Sequence, residues 1–291
     1  MLRAEMEAYL AQFAGRRALV IPNPGNAGDA LIALGTYRAL TQARIAWRVA
    51  QPHEVMPGDL VFVIAGGSLA SPGARVADVL GRVQESAGLL VLLPATVRGY
   101  ERELAELGSR CVVFCRDAES LRHVRLRATR ASVLAGHDMA FHVSSRDGSR
   151  CRDGRANADE ASEELLKASR LDLRSIRSRE TADFSKAHLI DGHRPNPPPI
   201  DVAELFTFAG GDLDEALSVS RCLLRVIRSA KAIVTDRLHV AIASTLSARR
   251  CELRSDPTGK NLAVFEASLA RFAPLVRFSN GVANRSSDAE K

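Results

Sequence analysis

The 291-residue sequence lacks several features that would assign a protein class directly. No apolar run approaches the roughly 18 residues needed to span a bilayer. The five cysteines show no zinc-like spacing, and their odd number argues against a secreted domain held by disulfides. No basic cluster is interleaved with aromatic side chains, so nucleic acid is not an expected partner. We therefore expect a cytoplasmic globular protein without a metal site.

Charge is the feature present in excess. Apolar residues make up 46% of the chain and charged residues 25%, as in ordinary globular proteins, but the net charge is +6 and arginine greatly outnumbers lysine. This surplus favours anionic partners such as phosphorylated small molecules or anionic glycolipids, although a GC-rich coding background would produce the same bias. It also leaves open a peripheral contact with anionic lipid at the inner membrane face.

Short apolar runs alternate with helical patterns through the first half of the chain. Continuous apolar strands separated by helices indicate a parallel sheet that is covered on both faces. The predicted strands are 17–21, 47–49, 59–65, 89–93, 111–115 and 132–134. The predicted helices are about 29–43, 75–85, 101–107 and 118–127.

The second half reads as a smaller α/β unit. A polar stretch rich in Arg, Asp, Gly and Ser predicts a flexible linker at 144–160. Helices are expected at 160–168 and 213–229, then a strand from Ala232 and a further helix. The chain is therefore expected to contain two Rossmann-like domains, 1–143 and 161–278, and a disordered tail at 279–291.

The segment Thr235-Asp236-Arg237-Leu238-His239 has the strongest chemical content. It follows an apolar run and precedes a helical pattern, so the sequence predicts a strand, a tight turn and a helix. Arg237 and His239 would lie in the first helical turn, where backbone N–H groups and the helix dipole favour anions. Arginine binds phosphate or carboxylate in a rigid fork, and histidine carries protons near neutral pH. The pattern indicates a reaction centre.

Two glycine-containing loops follow predicted strands at the edge where open α/β sheets bind ligands. The first contains Asn26, Gly28 and Asp29, and Asp29 is predicted to be the helix N-cap. A tight turn with a capping aspartate would explain this loop equally well, and it is not a P-loop. Gly66 and Gly67 form the second loop, which is either substrate-facing or an ordinary turn.

Three charged residues in later loops are further candidates. Arg116 follows a strand and either reaches an anion or is exposed beside an aspartate cap. Asp138 ends the last strand of the first half and is a candidate loop-organising acid near a cleft. Lys260 either adds positive charge to the site of Arg237 or belongs to a simple Pro/Gly turn.

Taken together, these segments resemble the polysaccharide pyruvyl transferase family. Single motifs are weak, but seven occur in the family's order between residues 17 and 262. They are GNAGDALI (25–32), AGGS (65–68), LPAT (93–96), CRDAES (115–120), HDMAF (137–141), TDRLH (235–239) and SDPTGK (255–260). The resemblance implies a GT-B-like α/β fold with a cleft between two Rossmann-like domains that contain parallel sheets.

The resemblance also implies an activity. Family members transfer the enolpyruvyl carbons of phosphoenolpyruvate to a sugar as a ketal and release phosphate, with no further cofactor. By this resemblance Arg116, Arg237 and Leu238 bind phosphoenolpyruvate, and His239 is the acid/base. The expected acceptor is a sugar of a lipid-linked exopolysaccharide precursor, near Asn26 and Asp29. Ala95 stands where glutamine is usual in LPQT, so the identity of the acceptor stays open.

Two other functions are compatible with the α/β pattern. One is a GT-B glycosyltransferase that uses a nucleotide-sugar, although no evident nucleotide pocket precedes Pro195. The other is a non-catalytic Rossmann-type binding protein, which the charge permits.

Overall fold

The computed structural model describes residues 4–144, 156–169, 171–185 and 199–280. Most of the predicted linker (144–160) and most of the predicted tail (279–291) lie outside the described residues. Within the described ranges, no helix combines the length and apolar character that a membrane crossing requires.

Helices and strands alternate along the described residues, as expected for an α/β protein. The strands are β1 (Arg17–Ile21), β2 (Gly25–Asn26), β3 (Ala46–Val49), β4 (Leu60–Val63), β5 (Leu89–Ala95), β6 (Cys111–Cys115), β7 (Ser132–Ala135), β8 (Ala182–Asp183), β9 (Thr207–Phe208), β10 (Ala232–Thr235), β11 (Arg250–Arg254) and β12 (Val276–Ser279). The helices are α1 (Ala4–Ala11), α2 (Ala27–Gln42), α3 (Arg75–Val83), α4 (Glu101–Glu106), α5 (Ala118–Arg127), α6 (Ala156–Ala168), α7 (Leu173–Ser178), α8 (Leu213–Ser229), α9 (Leu238–Leu246), α10 (Lys260–Val264) and α11 (Ala270–Phe272).

The first sheet has six parallel strands in the order β3-β1-β4-β5-β6-β7. All four residues of β4 are buried, because helices cover both faces of the sheet. The chain moves outward from β1 to β3 and then returns to place β4 on the other side of β1. Ligands bind at such a reversal, outside the carboxyl ends of the two strands.

The second sheet has four parallel strands that follow one another in chain order, β8-β10-β11-β12. Right-handed crossovers between strands in this order place the connecting helices on one face. In β11, Cys251 and Leu253 are buried towards that face, whereas Arg250, Glu252 and Arg254 point to the other. Both sheets are parallel, which confirms the predicted α/β class with Rossmann-like sheets.

A continuous apolar core joins the two halves. Helix α2 packs against α8, and buried side chains of both helices belong to one cluster, including Leu34, Tyr37, Leu217 and Leu224. The antiparallel pair β2–β9 adds a backbone link, and the Ala27 N–H donates to the Ala203 carbonyl (3.0 Å). The loop after β1 is therefore fixed against the second half of the chain.

Two details of the sequence interpretation are wrong. Asn26, not Asp29, is the N-cap of α2, because its side chain accepts a hydrogen bond from the Gly28 N–H (2.8 Å). Asp29 accepts from the Asn26 N–H (3.0 Å) and completes a capping box, so the helix begins at Ala27. Ser279 was assigned to the tail but pairs in β12, and its carbonyl accepts from the Ser255 N–H (3.1 Å).

Gly35 provides a test of how α2 packs. A Cβ at this position would lie 1.9 Å from the Met139 carbonyl oxygen, where α2 crosses the turn after β7. We expect Gly35→Ala to lower the free energy of unfolding by about 2–3 kcal/mol, because backbone has to move. The control is Gly81→Ala in α3, where a Cβ meets nothing within 4 Å. That change should stabilise the protein by up to about 1 kcal/mol in the same urea titration. Equal changes in the free energy of unfolding for Gly35→Ala and Gly81→Ala would contradict the close packing of α2 against Met139.

Candidate functional site

A cavity of about 350 Å³ lies where the carboxyl ends of the first sheet meet the N-termini of α9 and α10. It is at the β1/β4 reversal, as the sheet order requires. Most of the sequence-predicted site residues line it: Asn26, Gly28, Asp29, Gly67, Arg116, Arg237, Leu238, His239 and Lys260. Gly66 and Asp138 lie directly behind this lining and contact its members.

Arg116 is the buried cation at the base of the cavity, with only 1% of its surface exposed. Its Nε donates to Thr96 Oγ1 (2.9 Å), and its Nη1 donates to Asp138 Oδ2. Its Nη2 has no hydrogen-bond partner among the described residues. A Cβ at Gly67 would lie 3.0 Å from this Nη2 and 4.0 Å from Lys260 Nζ. The glycine therefore leaves the space between two cations open, and a buried unpaired N–H points to a polar ligand there.

Asp138 holds Arg116 and His239 together. Its carboxylate is fully buried, accepts from the Ala140 N–H (2.9 Å), and lies 3.4 Å from His239 Nε2. Burial alone would raise the pKa of Asp138, but the Arg116 guanidinium and the His239 and Ala140 hydrogen bonds outweigh it and hold the pKa well below its usual range. Asp138 is therefore an ionised carboxylate that orients the imidazole.

His239 is the second residue of α9 and faces the first turn of α2. A Cβ at Gly28 would lie 2.6 Å from His239 Nδ1, so the absence of a side chain at Gly28 lets the ring approach α2. Nε2 faces Asp138 and Nδ1 faces Gly28. The imidazole thus lies between the N-termini of two helices, one from each half of the chain.

Asp29 is a second carboxyl group in the cavity wall. Its Oδ1 accepts from Asn23 Nδ2 (3.1 Å), and its Oδ2 accepts the capping bond from Asn26. Burial raises the pKa of Asp29, and the Asn26 hydrogen bond and the charges of His239 and Arg116 offset this only in part. The pKa of Asp29 is therefore raised and that of Asp138 is lowered. A pair of carboxyl groups with such opposite shifts can divide the roles, with Asp29 suited to carry a proton and Asp138 to remain charged.

The sequence predicts Arg237 within the first turn of α9, and this prediction is wrong. Helix α9 begins at Leu238, and Arg237 occupies the N-cap position with its N–H donating to Thr235 Oγ1 (3.0 Å). Its guanidinium is held by two carboxylates: Nε donates to Asp201 (3.1 Å to each oxygen), and Nη2 donates to Glu204 Oε1 (2.8 Å). Burial would lower the pKa of Arg237, but these carboxylates raise it.

No sequence pattern predicts Asp201 and Glu204 as residues of this site. They lie three residues apart in a turn that follows a proline-rich stretch and carries no recognisable motif. Two polar residues at this spacing can face one side of a turn. No local sequence pattern, however, relates them to Arg237, which lies more than thirty residues later in the chain. Only the fold brings the pair to Arg237.

The remaining predicted residues shape the loops around the cavity. Gly66 adopts a left-handed conformation (φ +55°), and a Cβ there would lie 2.4 Å from Ile32 Cδ1. Leu238 is buried beneath the cavity. Lys260 opens α10, in a loop where Asp256 accepts from the Asn261 N–H (2.8 Å). Among the described residues, no group of three or more His, Cys, Asp or Glu side chains could bind a metal ion.

The Asp138→Asn substitution should remove a pH-dependent part of the stability. The pKa of Asp138 is lower in the folded protein than in the unfolded chain, so the carboxylate stabilises the fold above about pH 4. This contribution is lost as the pH falls towards the folded-state pKa. The free energy of unfolding of the wild type should therefore fall more steeply between about pH 5 and pH 3 than that of Asp138→Asn. Urea titrations at each pH measure this, and equal slopes would contradict the assignment.

The comparisons with known proteins agree with the fold and with the motifs. The family model described as polysaccharide pyruvyl transferase matches residues 26–251, which covers most of the chain. The chain is similar to a crystal structure of an uncharacterised protein from Klebsiella pneumoniae subsp. pneumoniae NTUH-K2044 (TM-score 0.69, 21% identity), over 96% of this chain and 98% of that one. That likeness supports the fold alone. No curated protein matches. The family match extends from the loop of Asn26 and Asp29 to β11, and the chain belongs to the polysaccharide pyruvyl transferase family.

Proposed function

We propose that the protein transfers pyruvate from phosphoenolpyruvate to a sugar as a ketal and releases phosphate. The observation that carries the proposal is the buried guanidinium of Arg116. Its Nη2 has no partner among the described residues and points to the open space at Gly67, towards Lys260. A compact anion would satisfy this N–H, and the Lys260 side chain adds positive charge at the same side of the cavity.

The donor has two anionic groups, a phosphate and a carboxylate. Arg116 and Lys260 line one part of the cavity, and Arg237, which pairs with Asp201 and Glu204, lies at the start of α9. Backbone N–H groups at the N-termini of helices also favour anions. In this arrangement Leu238 gives the donor an apolar contact, and the three-carbon unit lies beside His239.

The proposed reaction needs one proton carrier and a fixed negative charge beside it. His239 protonates the methylene carbon of phosphoenolpyruvate, which leaves an oxocarbenium-like centre at C2. One sugar hydroxyl adds to C2, and a second replaces the phosphate as the C–O bond to phosphate breaks. Two hydroxyl protons are released: one restores His239 and the other leaves with the phosphate. Asp138 orients the imidazole and stabilises its protonated form.

The acceptor side is assigned to the wall formed by the first turn of α2. Asn26 and Asp29 present amide and carboxyl groups that suit sugar hydroxyls. Burial raises the pKa of Asp29, so its carboxyl can relay a hydroxyl proton to the departing phosphate. We propose a sugar of a lipid-linked glycan precursor as the acceptor and a cytoplasmic location. The net charge of +6 supports an approach to the anionic inner membrane face.

Calorimetry with phosphoenolpyruvate tests the donor site. Arg116→Ala should weaken binding by at least about 100-fold, because a buried charge-assisted contact is lost. Arg122→Ala, an exposed arginine on α5, is the matched control and should bind like the wild type. Since Arg116→Ala leaves Asp138 unpaired, circular dichroism has to show that the variant is folded at the temperature used. A wild type that binds a nucleotide-sugar and no phosphoenolpyruvate would overturn the proposal in favour of glycosyl transfer.

A second test separates proton transfer from binding. His239→Asn should lower kcat by about 10²–10⁴-fold while the Kd for phosphoenolpyruvate changes only a few-fold. Gly28→Ala should act in the same direction, by about 10- to 100-fold, because its methyl group displaces the imidazole. Gly108→Ala is the control, since a Cβ there meets nothing within 4 Å. Phosphate release with a suitable acceptor measures kcat, and an unchanged rate in His239→Asn would exclude histidine as the acid.

A further inference from the structure

One carboxylate oxygen bridges the donor and acceptor sides of the cavity. Glu204 Oε1 accepts from Arg237 Nη2 (2.8 Å) and from Asn26 Nδ2 (2.8 Å). Arg237 opens α9 in the second half of the chain, whereas Asn26 caps α2 in the first half. Glu204 Oε1 therefore occupies the position on Arg237 that an anionic substrate would use. It also occupies the position on Asn26 that a sugar hydroxyl would use.

The two carboxylates that hold Arg237 differ in exposure. The Asp201 side chain is 21% exposed and contacts both Nε and Nη2, whereas the Glu204 side chain is 54% exposed and contacts Nη2 alone. An exposed single ion pair contributes about 0–1 kcal/mol and is readily exchanged for another anion. Asp201 therefore fixes the guanidinium, and Glu204 is the partner that can leave.

The segment that carries Glu204 is itself well anchored. Val202, Ala203 and Phe206 are buried, and the Ala203 carbonyl accepts from the Ala27 N–H (3.0 Å). A rotation of the Glu204 side chain therefore suffices to release Arg237, without movement of the backbone. Replacing the Glu204 carboxylate on Arg237 with a donor anion therefore requires little free energy.

Electrostatics makes this exchange necessary for an anionic donor. A phosphate or carboxylate that reaches Arg237 Nη2 would meet the Glu204 carboxylate already bound there, and like charges at contact distance repel. The donor must either displace Glu204 or bind only to Arg116 and Lys260. Displacement also removes the acceptor of the Asn26 amide and leaves that amide available to a hydroxyl.

We propose that Glu204 is a built-in competitor of the donor anion, which displaces it from Arg237 and thereby frees Asn26 for the acceptor. The inference rests on the proposed function and adds a binding order to it: phosphoenolpyruvate first, then the sugar. Asp201 is a positioning residue that keeps Arg237 aimed at the cavity when Glu204 has left.

Calorimetry with phosphoenolpyruvate on Glu204→Gln and Glu204→Ala tests the inference. Removing the competing charge should lower the Kd by roughly threefold to tenfold, because a larger fraction of the protein has Arg237 ready to bind. Glu266→Gln, at an exposed glutamate in the helical segment between α10 and α11, makes the same charge change away from the cavity and should leave the Kd unchanged. Asp201→Asn should weaken binding, since it releases the guanidinium.

The outcomes separate the two proposals. A lower Kd in both Glu204 variants and not in Glu266→Gln supports the competitor, because a merely structural role would weaken binding when removed. A wild type that binds phosphoenolpyruvate, together with Glu204 variants of equal or higher Kd and unchanged melting temperature, would overturn the inference and leave the proposed function intact. A wild type that binds no phosphoenolpyruvate would overturn both.

Discussion

The buried carboxylate of Asp138 is the contact on which the site depends. Asp138 lies three residues after the last strand of the first sheet and binds the Arg116 guanidinium, which itself follows the neighbouring strand. Through His239 Nε2 it also reaches the first turn of a helix in the other half of the chain. Three charged or titratable groups thus come together in a place from which water is largely excluded, and this raises the strength of every interaction among them. Loss of Asp138 would leave the buried Arg116 charge without its carboxylate partner.

The fold supplies the conditions for this contact. The reversal of strand order at β1 and β4 opens a crevice, and the common core of α2 and α8 holds the second sheet against it. The antiparallel pair β2–β9 fixes the loop of Asn26 and Asp29 across the same boundary. Gly28 leaves the space that the His239 ring uses, and Gly67 keeps open the space between Arg116 and Lys260. The two halves therefore form one candidate site only because their packing is continuous.

Local sequence patterns predicted the parts of the molecule whose structure is locally determined. Strands β4, β5 and β6 are continuous apolar runs, and around Arg237 and His239 the apolar spacing changes from that of a strand to that of a helix. The cap of α2 was assigned to Asp29 because aspartate is a good N-cap, but Asn26 is equally good and lies at the turn. Asp201 and Glu204 could not be predicted, since their role depends on a contact with Arg237 that only tertiary structure creates. The alternating polar and apolar residues of β11 fit a strand with one buried face, a pattern that the sequence itself shows.

The most direct test is a crystal structure of the protein with phosphoenolpyruvate bound. We expect an anionic group of the donor within about 3 Å of Arg116 Nη2, close to Lys260, with the methylene carbon facing the imidazole of His239. Glu204 should have turned away from Arg237 in that complex. Phosphoenolpyruvate bound elsewhere, or bound here with its methylene carbon directed away from His239, would contradict the assignment of this cavity as the centre of pyruvyl transfer.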